Sequence, residues 1–311
     1  MNTINKELIN IKGKKKSVNL KVIDGKNIYI TGKLIKIARI KDEQCDNGVR
    51  DPEIIISELK KYKLADIFTF DEKPPNTYRR FNYYFEWDNL AVLEIKSYEY
   101  WFKNQIRNDV RRMIRKAEKN NLVVKVVPFT DELVSGIKKI YDETPLRQGI
   151  PSWHYNKDLE TIKNDNSSFL DRSDFICVYY KNELIGFERI IYTGKRADPI
   201  QLISTLKHRN KAPTNALIAK TIQICANKGI THLTYGKYFY GKKRGDSLND
   251  FKKRNGFVEY TFPRYYIPLT LKGNIALKLK LYKKPIEIFP SFAITILSKL
   301  RTKLYLLKYS I

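Results

Sequence analysis

Three cysteines in 311 residues, set far apart at Cys45, Cys177 and Cys225, leave no basis for a disulfide framework or a thiolate metal site. Cys177 and Cys225 fall inside apolar patterns and are expected to be buried as small hydrophobes. Histidine is equally sparse, at His154, His208 and His232, and without ligand spacing, so no metal centre is expected. No run approaches the roughly 20 apolar residues that cross a bilayer. The first residues, MNTINKELINIKGKKK, carry charge but no apolar core of a secretory leader, so the expected location is the cytoplasm. Acid is also short. There are 33 Asp and Glu against 59 Lys and Arg, a net charge of +26. Such an excess calls for an anionic partner: nucleic acid, anionic lipid, or a phosphate-bearing cofactor or substrate.

A hydrophobic share of 42% marks a folding chain, long enough for one large domain or two medium ones. The first quarter alternates in strand fashion, with hairpin signals at Asp24-Gly25 and Thr31-Gly32. Asp51-Pro52 reads as an N-cap and a first-turn proline. Strands are expected on both sides of a turn at Asp88-Asn89. SYEYWFKNQIRNDVRRMIRKAEKNN then reads as one long helix. Its apolar face is Phe102, Ile106, Val110, Met113 and Ala117, beside an arginine ladder of Arg107, Arg111, Arg112 and Arg115. A strand, a helix capped at Thr130 or Asp131, and the loop PLRQGIPSWHYNKD follow. From Asp174 the pattern is a hairpin turning at Lys181-Asn182, a third strand PIQLISTL, and a helix with Thr214 as its cap and Gly229 as its stop. A short strand HLTYG, the helix DSLNDFKKRN, a stop at Gly256, and a strand interrupted at Pro263 complete it. The tail carries ten Lys or Arg against one acid from Arg264 onward. The expected organisation is a strand-rich region 1–97 (a candidate degraded copy of the later half), a core 98–270 and a basic amphipathic tail 271–311.

The element order over residues 99–270, with its late NDFKKRNGF switch, resembles the GNAT fold of acyl-CoA N-acyltransferases. IRNDVRRMIRKAEKNN and GDSLNDFKKRNGF resemble the Arg/Lys-rich helix and closing segment of FemAB-like proteins and of Fem-type peptidoglycan-bridge aminoacyltransferases. The resemblance implies an α+β architecture: a central mixed, largely antiparallel sheet flanked by helices. It also implies acyl transfer to an amine, with the carbonyl held where two strands splay and a strand N–H facing the oxyanion. PIQLISTL maps onto the splayed strand and KHRNKAPTNA onto the pyrophosphate loop. Ser204, Leu206, Arg209, Lys211, Thr214 and Asn215 are then the expected donor contacts. Acyl-CoA is the expected donor. That loop has no glycine where acetyl-CoA binders of this type carry them, which leaves room for a larger donor or for aminoacyl-tRNA, but the sequence has no heptad hairpin of the kind Fem-type enzymes use for tRNA.

Glu188 interrupts an apolar strand and is a candidate base. His154 is a second, expected to titrate near neutrality. Tyr238 and Tyr240 are candidates for protonating the leaving group, as in GNAT enzymes. Arg147, Gln148, Trp153, Tyr155, Lys237 and Arg111 are candidate substrate contacts, and Lys242, Lys243 and Arg244 a candidate phosphate clamp. The expected acceptor is an amino sugar or amino-acid amine of a cell-envelope polysaccharide or its lipid-linked precursor. The tail offers contact with the inner face of the membrane through Phe289, Phe292, Ile296, Leu300 and Leu304, with Lys299, Arg301, Lys303 and Lys308 around them. A non-catalytic nucleic-acid or membrane-surface protein is the competing class, but no nucleic-acid motif supports it.

Overall fold

The computed structural model describes residues 5–11, 14–147, 149–240, 247–283, 287 and 291–308. In chain order the elements are β1 (Asn5–Ile11), β2 (Lys14–Ile23), β3 (Lys26–Thr31), β4 (Ile37–Ile40), α1 (Pro52–Lys61), β5 (Ile67–Asp71), β6 (Phe85–Glu94), α2 (Tyr98–Tyr100), α3 (Asn108–Lys119), β7 (Val123–Val127), α4 (Asp131–Tyr141), β8 (Leu146–Arg147), β9 (Ile150–Pro151), α5 (Leu159–Asn166), β10 (Ser173–Tyr180), β11 (Glu183–Thr193), β12 (Arg196–Ser204), α6 (Pro213–Asn227), β13 (His232–Thr234), α7 (Ser247–Arg254), β14 (Val258–Pro268), α8 (Leu271–Lys278) and α9 (Ser291–Lys308). They form two compact units, Met1–Leu90 with Tyr260–Pro290, and Ala91–Glu259 with Ser291–Ile311. The division thus falls inside β6 and β14 rather than at 97 and 270, and the tail is shared, α8 to the first unit and α9 to the second.

In the first unit the strands run β1-β2-β3-β4-β5-β14. Asp24 and Gly25 both take positive φ, 49° and 66°, as a two-residue hairpin requires. Strand β4 pairs in parallel with β5, the others antiparallel. The crossover is α1, whose Asp51 cap accepts from the Glu53 amide. The core joins Ile55, Ile56 and Leu59 of α1 to Phe68, Phe70 and Tyr265.

In the second unit the order is β6-β13-β12-β11-β10-β7, and only the β12–β13 pair is parallel, with α6 as its crossover. Lys181 and Asn182, at φ 48° and 68°, turn the β10–β11 hairpin. Alternation along the strands sends Ile176, Val178 and Ile190 toward α3 and α6, and Phe175, Cys177 and Phe187 toward α4 and α5. Both units therefore share one order: three antiparallel strands, a helix, and a strand parallel to the third.

Several local expectations change. The long helix breaks in two. A wide π-type turn, Trp101–Gln105, ends at an extended Ile106, and α3 starts only at Asn108. The break is held from outside, because the Trp101 indole donates to the Asn255 carbonyl at 3.0 Å. The buried stripe becomes Trp101, Ile106, Val110, Ile114 and Ala117, while Met113 turns outward. Strand β6 runs straight through Asp88-Asn89, and β14 through Pro263, whose carbonyl accepts from the Glu72 amide. At α6 the capping position is Ala212, in the left-handed region at φ 59°, and Pro213 opens the helix. Thr214 pairs instead with Ser204, hydroxyl to hydroxyl at 2.9 Å.

Candidate active site

The sheet of the second unit forks at β12. It pairs with β13 only at Arg196↔His232 and Ala197↔Leu233, then runs on to Ser204. The chain beyond β13 follows β6 instead: the Tyr235 amide donates to the Ala91 carbonyl and the Ala91 amide to the Gly236 carbonyl, each at 2.8 Å. The base of the fork is stapled by buried polar groups. Asp198 accepts from the Thr234 hydroxyl at 2.7 Å and from Arg196 at 3.0 Å. Sequence reasoning passed over Asp198, although an Asp-Pro pair inside an apolar strand was the available signal.

The β12 arm carries Gln201. Its amide oxygen accepts from the Tyr141 hydroxyl at 2.8 Å, and its amide nitrogen lies 3.4 Å from His154 Nε2. The His154 ring packs on Tyr141, with centroids 4.5 Å apart, and edge-on to the exposed Trp153. Burial, with Lys157 adding to it, pushes the His154 pKa down to about 4. This corrects the expected titration near neutrality: the imidazole is neutral at pH 7. Arg147 donates to the carbonyls of Ser204 (2.8 Å) and Ile140 (3.0 Å) and to Glu143 (3.1 Å). Half-buried Tyr155 follows on the same loop, its amide donating to the Ser152 carbonyl. Gln148 lies outside the described residues.

Glu143, absent from the sequence-derived candidates, is central here. Its two carboxylate oxygens accept from the consecutive amides of Leu206 (2.8 Å) and Lys207 (2.9 Å), where the donor loop leaves β12. Downstream in that loop, Arg209 is exposed, Lys211 Nζ lies 4.2 Å from the Tyr180 ring centre, and Asn215 is half-buried in the first turn of α6. Gly186 lets β11 approach the end of β12, since a Cβ there would lie 2.9 Å from that of Ser204.

Glu188 lies on the opposite face of the sheet, fully buried beneath α6 and accepting from the Thr221 hydroxyl. The two expected bases are therefore not brought together. Burial pushes the Glu188 carboxyl up to about 7, the Thr221 bond working against it. Between roughly pH 4.5 and 7 the folded chain keeps a proton that the unfolded chain releases. This contribution to stability is full below about 4.5 and is lost as pH rises through 7. Glu188→Gln should therefore match the parent near pH 4.5 and exceed it by about 3 kcal/mol at pH 8. Urea unfolding at the two pH values measures this, and a gap that does not widen refutes a neutral Glu188.

The other arm of the fork leads to Tyr238, packed in the core, and Tyr240, 43% exposed. Burial raises the pKa of the Tyr238 phenol. Lys237 is half-buried, and its carbonyl accepts from Lys252 Nζ. Lys252, in the basic run that closes α7, would by residue type face water or a phosphate. It is instead fully buried, 5.1 Å from the Tyr240 ring centre and 5.7 Å from that of Tyr235. Lys242, Lys243 and Arg244 lie outside the described residues. Arg111 turns inward: it donates to Asn108 and to the carbonyls of Phe102 (2.8 Å) and Lys103 (2.7 Å), bracing the π-type turn. A depression of about 340 Å³ between α3 and α6 involves none of the expected site residues.

No protein-family model matches the sequence, and no curated protein matches it. Solved structures do match. FemX is 11% identical and covers 89% of this chain and 90% of its own, with a TM-score of 0.59. L-PGS from Bacillus licheniformis is 14% identical over 86% of this chain and 90% of its own, with a TM-score of 0.58. The C-terminal domain assigned to a lysylphosphatidylglycerol synthetase of Agrobacterium fabrum is 12% identical over 85% and 86%, with a TM-score of 0.54. At these identities the likeness concerns architecture, and the architecture is the GNAT/Fem-type fold, mixed α+β with helices on a large sheet.

Proposed function

We propose that the chain is a transferase that acylates an amine, with the reacting carbonyl lying in the fork between β12 and β13. The observation that carries this reading is the fork itself, a parallel pair that separates after two residue pairs and frees the β12 edge. In the reaction the amine nitrogen forms a bond to the carbonyl carbon, the bond from that carbon to the carrier breaks, the amine gives up a proton and the carrier takes one. His154 is placed against the β12 arm and neutral, which leaves it a free but weak base, and it is the residue assigned to receive the proton. Tyr240, on the other arm, supplies one to the carrier. Four buried polar atoms without a hydrogen bond among the described residues cluster by sequence at the end of β12 and its neighbouring loop: Arg147 Nε, Ser152 Oγ, His154 Nδ1 and Thr205 Oγ1. A polar acceptor, such as an amino sugar or an amino acid of a cell-envelope polysaccharide precursor, would supply their partners.

For the carrier we favour aminoacyl-tRNA. The donor loop has no glycine, two of its amides are held by Glu143, and the net charge is +26. Acyl-CoA is the second reading, supported by the α6 N-terminus, which no side chain caps, with Arg209 and Lys211 beside it. Thermal shift with aminoacylated tRNA, acetyl-CoA and longer acyl-CoAs tests both. Stabilisation by tRNA that fades with salt is the expected result. Stabilisation by a CoA species instead selects the second reading, and no response to any donor overturns both. Arg209→Ala with Lys211→Ala should weaken donor binding about tenfold, roughly 1.4 kcal/mol, and unchanged affinity would refute the loop assignment.

A further inference from the structure

The last helix has a face that the fold does not use. In α9, Tyr305 donates to the carbonyl of buried Ser152, and Thr302 and Leu306 are partly covered beside it. Away from that side, Phe292, Ile296, Leu297, Leu300, Leu304 and Leu307 are each 54–69% exposed. At 3.6 residues per turn these six fall within an arc of about 140°. Lys299, Arg301 and Lys303 are exposed on the same helix, and residues 291–308 contain no acid. A contiguous apolar stripe of this kind on a folded surface marks an interaction site.

We propose that α9 docks the protein in-plane on an anionic lipid bilayer. The charge pattern selects this occupant. A second copy of the chain meeting the same face would set cations against cations, whereas anionic headgroups complement them while acyl chains take up the leucines. Among the described residues no helix is long and apolar enough to cross a membrane, so α9 lies on the surface rather than through it. The helix is fastened at Ser152, directly after the β8–β9 hairpin, and Ile150 (58%) and Trp153 (51%) on either side of that point are exposed. A tryptophan at such a site settles at headgroup level, and an aliphatic side chain beside it reaches the acyl boundary. Docking through α9 therefore brings the loop that carries Arg147 and His154 to the bilayer, where an acceptor on a lipid anchor would be presented. The surface itself does not rest on the proposed reaction, because vesicle binding and transfer are measured separately.

The test uses the purified full chain and co-sedimentation with vesicles of phosphatidylcholine alone or mixed with phosphatidylglycerol, at 0.1 and 0.5 M salt. The chain should pellet with the mixed vesicles, less so at high salt, and stay largely in solution with phosphatidylcholine alone. Leu300→Glu with Leu304→Glu should lower the partition at least tenfold with an unchanged melting curve, since both side chains are already solvent-exposed. Lys299→Gln, Arg301→Gln and Lys303→Gln together should lose binding at 0.1 M salt by a similar factor. A parent chain that stays in the supernatant, or a leucine variant that pellets as before, overturns the proposal. So does a dimer on size exclusion that the leucine variant splits, which would assign the face to self-association.

Discussion

Arg264→Met should destabilise the first unit by about 3 kcal/mol, enough to lower its melting temperature by several degrees. Arg264 is about four-fifths buried and holds three carboxylates: Asp71, Glu43 at 3.0 Å and Asp88 at 3.4 Å. The side chain is kept charged by Asp71 and Glu43, which outweigh its burial. Burial raises the Glu43 carboxyl even with the arginine present. Without the arginine, three acids would share the site with Lys73, 2.5 Å from Asp71, and Arg39, which interacts with Glu43, as nearby cations. The Glu43 carboxyl, already raised by burial, would rise further, so the variant's deficit should be small near pH 5 and grow as pH rises. Denaturant unfolding across pH 5–8 measures this. A deficit that is flat with pH would mean that lost packing, and not charge repulsion, sets the cost. The cluster also distinguishes the two units in structure. In the first unit β4 and β5 pair over Ile37–Arg39 and Ile67–Thr69, and just beyond, Glu43 takes the Asp71 amide at 3.1 Å while Arg264 binds both carboxylates. The position along β5 that corresponds to the opening along β12 in the second unit is occupied here by side chains.

The residues that were legible in the sequence owe their structure to local causes. Asp24-Gly25 and Lys181-Asn182 adopt the positive φ that their turns demand, and Thr130 caps α4 by accepting from the Leu133 amide at 3.2 Å. The order of elements carried the fold for the same reason. What escaped depends on partners far away in the chain. The π-type turn needs the Asn255 carbonyl, 154 residues on from Trp101. Lys252 is buried against the rule for lysine because the Lys237 carbonyl and two tyrosine rings receive it. Arg111 reads as a free cation in a ladder, and only the carbonyls released by the broken helix reveal its use. Glu143 follows a helix end in IYDETPLRQG, where an acid normally meets water, and its amide partners lie 63 and 64 residues further on.

Removing that carboxylate should split turnover from binding. Glu143→Ala frees the amides of Leu206 and Lys207, which face solvent and can rehydrate, so the cost in stability should be only about 1 kcal/mol. The Leu206–Lys207 segment that follows β12, however, loses its tie through Glu143 to Arg147 and the loop of His154, and only the Arg147–Ser204 bond still joins them. Misplacing reacting groups by about an ångström costs on the order of a hundredfold in rate, so kcat should fall between tenfold and a hundredfold. The KM for an anionic donor should move the other way or stay level, because Arg147 is released from its ion pair and the donor loop gains net positive charge. Glu143→Gln, which can still accept from one amide but cannot pair with the guanidinium, should recover part of kcat. Steady-state kinetics with the donor identified by thermal shift decide the matter. A rise in KM for the amine acceptor with unchanged kcat would place Glu143 in direct contact with the acceptor's ammonium group, and the positioning role would be withdrawn.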